Sequence, residues 1–406
     1  MENSKDIQIK HKKESSFSIL DYVIVGGGPS GLYCAKRIEE ECRRQGQDPK
    51  KIRLIERKHV LGGRTRMESF HSRLVNTGAG VGRMKKDTIL KSLVQKIVPK
   101  IQPFSANVCH AAPDPVNTLE IIGTLKKKKK EILESRHTKT FKQFFLSHFA
   151  FPIYHGFCVS NGYTDFENAD IVDTIDNYGF DDNISGALFF RVPWNKLIQY
   201  LKSCLKQTTV SLRREMTSYK YDPVLKLWCI HIRSTTSSKV EEVLYTKNLV
   251  FAGFLEKNMS TQYLEDQIGL NPFLRAYLYS KKYSVLPKNC SMIFRDDMFQ
   301  KTLPISRHVE MLSYSDNQHA LSSKKYFEKM EKSSTPSSVK HYFWEGGTHY
   351  YRPLHPKWKS RKEFIRYAQN PVPGLFLIGE IISNNQGWTE GAFESVEAVL
   401  PKLVRT

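Results

Sequence analysis

ILDYVIVGGGPSGLYCAKRIEEECRRQ, residues 19–45, is an apolar run that stops on three glycines and then becomes amphipathic. The first part has the length and β-branched content of a buried parallel strand, and the second repeats its apolar residues at helical spacing. QGQDPK (45–50) turns the chain, and KIRLIE (51–56) reads as a second strand. This strand, glycine turn, helix, strand order gives meaning to the pattern Gly26, Gly28 and Gly31. The first glycine permits a tight turn, the second lets a pyrophosphate approach the backbone, and the third lets helix and strand pack closely. The helix then offers its unpaired N–H groups, beside Ser30, to the phosphate charge. Glu56 ends the second strand, where a carboxylate accepts hydrogen bonds from a ribose diol, with Arg57 next to it. It lies thirty residues beyond Gly26, a spacing that the QGQDPK turn lengthens. A dinucleotide-binding unit is the expectation.

At 406 residues the chain has room for two or three domains or one large two-lobed enzyme, and its 40% hydrophobic and 12% aromatic content excludes wholesale disorder. A formal charge of +21, much of the excess lying between Arg83 and Lys142, is compatible with a polyanion such as nucleic acid. The run Lys126–Lys130 reads as a solvated loop or helix face, because adjacent lysines repel and prefer water. No helix-turn-helix, RRM, KH or zinc pattern is present, which argues against sequence-specific nucleic-acid reading and against a metal site. Seven scattered cysteines without CxxC spacing point to free thiols in a reducing, cytoplasmic or other intracellular compartment. The polar first seventeen residues carry no apolar leader, and no later stretch has the length of a membrane span.

Further along, 88–203 is mostly helical in pattern, with loops. TVSLRREMTSYKYD (209–222), LWCIHIRS and TKNLVFAG read as strands, and FLRAYLYS and HVEMLSYS as two more. The last segment holds a buried strand, GLFLIG, and a helix, TEGAFESVEAVL; the strand is expected beside the first one of the chain.

Following Glu56, the segment ERKHVLGGRTR with Gly62, Gly63 and Arg64, then NTGAG with Gly78 and Ala79, resembles the flavin-containing amine oxidase family of monoamine, polyamine and L-amino-acid oxidases. The GE...WTEGA segment, with Gly379, Glu380, Trp388, Thr389 and Ala392, carries the same resemblance. It implies FAD, with Arg64 charging the diphosphate, Gly78 and Ala79 beside the ring, Met216 at the adenine, Glu380 on the ribityl chain and the helix N-terminus at the pyrimidine carbonyl. Thr348 stands where covalently flavinylated members have cysteine, which implies non-covalent FAD. His349, with Tyr350 adjacent, and Trp388 match the aromatic walls of the substrate path, although Trp344, Tyr350 and Tyr351 also read as ordinary core residues. The family's active-site lysine falls on Arg275, which stays protonated and so reads better as half of a structural ion pair. Lys281 and Lys282 are the nearby lysines.

The resemblance implies an α/β fold: a Rossmann-type (GR2-like) FAD-binding domain from 18–90, 204–255 and 340–406, and a second α+β substrate lobe, 91–203 and 256–339, containing an antiparallel sheet. The 1–17 tail stands apart. It further implies an FAD-dependent oxidoreductase that moves hydride from a C–H adjacent to nitrogen, in an amine-like substrate, to flavin N5, with oxygen as reoxidant. A desaturase or protoporphyrinogen-oxidase-like flavoenzyme is one alternative, and a basic flavin-binding structural protein is another.

Overall fold

In the computed structural model, which describes residues 18–48, 50–111, 115–237, 239–253, 262–281, 289–333 and 338–405, strand Leu20–Val25 runs parallel to Ile52–Glu56 and to Glu242–Phe251. Thr208–Leu212 extends the sheet beyond Ile52–Glu56, and the hairpin Arg214–Asp222 with Leu227–Ser234 extends the other side. Leu375–Leu377 pairs in parallel with the last residues of Glu242–Phe251, Leu249↔Leu375 through Phe251↔Leu377. Contrary to the expectation from sequence, the strands from the two ends of the chain are not neighbours, because Glu242–Phe251 pairs with both and lies between them. TVSLRREMTSYKYD is two strands rather than one, broken at Arg213, whose φ of 55° turns the chain from a parallel edge into a hairpin.

Alternation along Leu20–Val25 sends Tyr22 and Ile24 to one face of this sheet and Val23 to the other. Helices Pro29–Arg44, Trp194–Cys204 and Thr389–Leu403 cover the first face. Their fully buried Leu32, Ile38, Leu197, Phe393 and Leu403 contribute about 1.5–3 kcal/mol each. Helix Arg361–Gln369 covers the other, through Phe364 and Ala368. These are the three layers of a dinucleotide-binding domain.

The second lobe is built on a six-stranded sheet in the order Val339–Tyr351, Ile268–Tyr279, Val309–Asp316, Lys301–Pro304, Met292–Phe294, Val108–His110, antiparallel except for the last pair. Helix Asn317–Ser333 packs on it through Ala320 and Phe327. A helical subdomain between residues 118 and 183 surrounds a phenylalanine core, including Phe141, Phe157, Phe166 and Phe180. The fold is thus the mixed α/β one that the motifs imply.

The lysine run spans the ends of helices Thr118–Lys127 and Lys129–Ser135. Lys128 pairs with Glu131 at 3.1 Å, and Lys126, Lys127, Lys129 and Lys130 are exposed, as a solvated helix face requires. The expectation of free thiols is corrected at one place: Cys109 and Cys290 form a disulfide that joins strand Val108–His110 to the segment leading into Met292–Phe294. Scattered spacing concealed it, because the two residues are 181 apart and meet only when their strands pair. Cys34, Cys42, Cys158, Cys204 and Cys229 are free. No helix among the described residues is long and apolar enough to cross a membrane. The 1–17 tail and Lys282 lie outside the described residues.

Candidate active site

A continuous cavity of about 1060 Å³ runs from the glycine turn, between the two lobes, to the inner face of the second sheet. That exceeds the usual 300–1,000 Å³ of a small-molecule site.

Its outer end is made of backbone. Gly26 has φ +113°, and any side chain there would strike the carbonyl of Ala252. A Cβ on Gly31 would lie 2.0 Å from the Gly26 carbonyl oxygen, so helix and turn touch only because residue 31 has no side chain. A Cβ on Gly28, by contrast, would meet nothing within 4 Å. The backbone there faces open space at the start of helix Pro29–Arg44, and no side chain caps that helix. Unpaired helix N–H groups beside an open glycine suit a pyrophosphate. Ser30 turns inward and donates to the Ala252 carbonyl at 3.2 Å. Glu56 accepts from the N–H groups of Gly27 (2.7 Å) and Lys58 (2.8 Å), which leaves lone pairs on both oxygens for a ribose diol. Arg57, Gly63 and Met216 line the same end. Gly62 has φ +110° and donates its N–H to the Gly27 carbonyl, tying the second glycine segment to the first.

Midway, Glu380 joins the two lobes. Its Oε1 accepts from Arg64 Nη1 (2.7 Å) and contacts His349 Nδ1 (2.5 Å), and Oε2 accepts from the Gly387 N–H (3.0 Å). Burial alone would push this carboxyl up, but His349 and Arg64 overcome it and hold Glu380 well below the usual carboxylate range. Arg64 Nη1 also donates to the Gly347 carbonyl, so part of the guanidinium expected at a diphosphate is committed to strand Val339–Tyr351. Gly78 packs its Cα against the Arg64 carbonyl, and Ala79 donates its N–H to the same oxygen at 2.9 Å. Gly379, with φ +121°, donates its N–H to Ser395. Trp388 caps helix Thr389–Leu403 without a side-chain hydrogen bond, leaving that N-terminus, with Thr389 and Ala392, open to the cavity. Glu390 of the same segment does something unforeseen: it accepts from the N–H groups of Ile89 and Leu90 and so caps helix Thr88–Gln95.

Of the aromatic pair expected in the wall, Trp388 lines the cavity with the Arg83 guanidinium 4.0 Å over its ring. His349 lines it too, held edge-on by Glu380. Tyr350 does not. Strand alternation sends it to the opposite face, over Gly269, where a Cβ would lie 2.1 Å from its ring. Tyr351 is buried in the core, and Trp344 lines the cavity with its Nε1 donating to the Thr77 carbonyl.

The inner end is made of side chains. Arg275 is 3% exposed and lines the cavity. Among the described residues it has no carboxylate partner, contrary to the structural ion pair expected from sequence: its guanidinium stacks 4.2 Å from the Tyr314 ring, Nη1 lies 3.5 Å from Met311 Sδ, and Nε has no partner. Lys301, which sequence reasoning missed, is 1% exposed and lies 4.5 Å from the same Tyr314 ring and 2.6 Å from that of Tyr163. Burial lowers its pKa well below the lysine range, Arg275 adding to the effect while Asp316 and Asp165 oppose it. Asp165 accepts from Tyr178 at 2.5 Å and Thr348 at 3.4 Å; burial, helped by the charge of Asp316, pushes it up to about 7. None of Tyr163, Asp165 or Lys301 belongs to a recognisable motif, and only the pairing of distant strands gathers them.

Residues 24–96 match the family model of an NAD(P)-binding Rossmann-like domain. Among solved structures, a cofactor-site triple mutant of putrescine oxidase is 14% identical with a TM-score of 0.70, covering 95% of this chain and 99% of that one. Wild-type putrescine oxidase bound to putrescine is 13% identical with a TM-score of 0.67, covering 96% and 100%. No curated protein sequence matches significantly. At such identity the likeness shows the fold: this chain shares the putrescine oxidase architecture over about 95% of its length.

Proposed function

We propose that the protein is an FAD-dependent oxidoreductase of the amine-oxidase type, oxidising a C–H adjacent to nitrogen. The observation that carries this reading is the single cavity, which leads without a break from the glycine turn to the charged pocket of the second lobe. FAD, when bound, supplies hydride acceptance at N5 and passes the electrons on to oxygen.

Gly28 and the free end of helix Pro29–Arg44 would hold the diphosphate, Glu56 the ribose, and Met216 the adenine. Glu380 would orient the ribityl region while fixing Arg64 and His349. The N-terminus of Thr389–Leu403, which has no side-chain cap hydrogen bond, would stabilise negative charge in the pyrimidine half of the ring. No cysteine lines the cavity among the described residues, and Thr348 has no thiol, which supports non-covalent attachment. Trp388 and His349 position the substrate, and the second lobe excludes water from the transfer site. The polar inner wall of Asp165, Arg275 and Lys301 suits a nitrogenous polar substrate and disfavours a polyene, so the amine-oxidase reading stands above the desaturase one.

The test is spectroscopic. Purified protein should be yellow, should release its colour to the supernatant after acid or heat precipitation, and should bleach anaerobically with one class of amine or amino acid. Protein that cannot be reconstituted with FAD, or flavin that no member of a broad panel reduces, would exclude the proposal.

A further inference from the structure

We propose that Arg275 is an anion-recognising residue of the substrate pocket, and that the substrate carries a carboxylate close to the carbon that is oxidised. The inference rests on the oxidase reading above and narrows its substrate class.

A guanidinium with this degree of burial costs several kcal/mol unless a counter-ion accompanies it. Arg275 has none. The Tyr314 face, the Met311 sulfur and the Tyr277 hydroxyl are all uncharged partners, the first worth about 0.5–2 kcal/mol, and Nε is left without an acceptor. The two acids nearest Lys301 serve other groups. Asp316 accepts from the N–H and hydroxyl of Thr164 and from Gln300. Asp165 accepts from Tyr178 and Thr348, and both acids act on Lys301. Lys301 meanwhile adds a second basic group against the same Tyr314 ring.

The position selects the ligand further. Arg275 Nη2 lies 3.0 Å from where a side chain on Gly80 would begin, directly after Gly78 and Ala79 of the loop assigned to the flavin edge. An anion held there sits within a bond or two of a carbon presented for hydride transfer, which is the geometry of an α-amino acid. A diamine such as putrescine would place an ammonium against a guanidinium instead, and like charges in a dry pocket repel.

The experiment uses FAD-loaded full-length protein and matched pairs: ornithine against putrescine and phenylalanine against phenethylamine, each amino acid as both enantiomers. Anaerobic flavin reduction should favour an amino acid over its decarboxylated partner by at least about 100-fold, because a site that pairs a charge rejects an analogue lacking it. Arg275→Met should remove that preference while Arg275→Lys retains part of it. Benzoate, a carboxylate that cannot be oxidised, should shift the flavin bands, or quench Trp344 and Trp388 if flavin is absent, and should fail to do so in Arg275→Met. Equal reduction by both members of a pair overturns the proposal, as does unmodified protein blind to benzoate. Flavin that nothing reduces, with benzoate still binding through Arg275, would sink the oxidase reading and leave the anion site standing.

Discussion

At the outer end of the cavity the walls are backbone: Gly26, Gly28, Gly31 and Gly62 act through what they lack, and a single missing Cβ decides whether helix and turn can meet. At the inner end the walls are side chains from four separate segments, Tyr163 and Asp165, Arg275, Lys301 and Tyr314, and charge rather than shape is the organising quantity. The difference has a physical root. A backbone cradle for a phosphate admits few solutions and leaves glycines at fixed spacing, whereas a charged pocket needs only that some residue of the right sign arrive at the right place.

The sharpest way to break this division is at its seam. Glu380→Gln removes the buried negative charge that pairs with Arg64 and His349, leaving a single neutral carbonyl oxygen between them, and should cost about 3–5 kcal/mol in denaturant unfolding. The pH dependence should follow. A depressed carboxyl stabilises the fold above its unfolded value of about 4.3 and loses that contribution as pH falls towards the lower folded value. The acid limb of the stability curve should therefore be shallower in the variant, and an unchanged limb would mean that Glu380 is not the group responsible.

Gly31→Ala tests the backbone end. The added methyl must displace the Gly26 carbonyl, an overpacking cost of about 1–3 kcal/mol. Retained flavin and thermal stability should both fall; full flavin retention would show that the turn adapts and that the cradle is softer than its contacts imply. Tyr178→Phe tests the side-chain end more gently. It removes one hydrogen bond from Asp165, worth about 0.5–1.5 kcal/mol, and should weaken substrate binding without loss of flavin. Flavin loss in that variant would mean that the two ends are coupled rather than separate. Smallest of all, replacing Lys126, Lys127, Lys129 and Lys130 by Gln should leave unfolding within about 0.5 kcal/mol of the parent, since these residues stand in solvent outside both ends.

Legibility in the sequence follows the same line. The strand, turn and helix at 19–45 are local, and the structure forms them where the pattern predicts; Glu56 and the GGR and GE...WTEGA segments are local as well, and they line the cavity. Strand alternation was visible as well, yet it was not enough to keep Tyr350 out of the cavity, because which face of Val339–Tyr351 looks inward is set by its partner Ile268–Tyr279. Arg275 reads in the sequence as half of an ion pair, and no such pair exists among the described residues; its surroundings come from Val309–Asp316, nearly forty residues on. Lys301, Asp165 and the Cys109–Cys290 link gave no local sign.

The sequence by itself determined the dinucleotide-binding half, because close approach of backbone to phosphate demands glycines in order along one short stretch of chain. The charge of the inner pocket, the capping role of Glu390, the partners of Glu380 and the disulfide came only with the tertiary contacts. Those depend on side chains far apart in sequence and brought together by sheet register, and the energy of a buried charge is set by what surrounds it rather than by the residue that carries it.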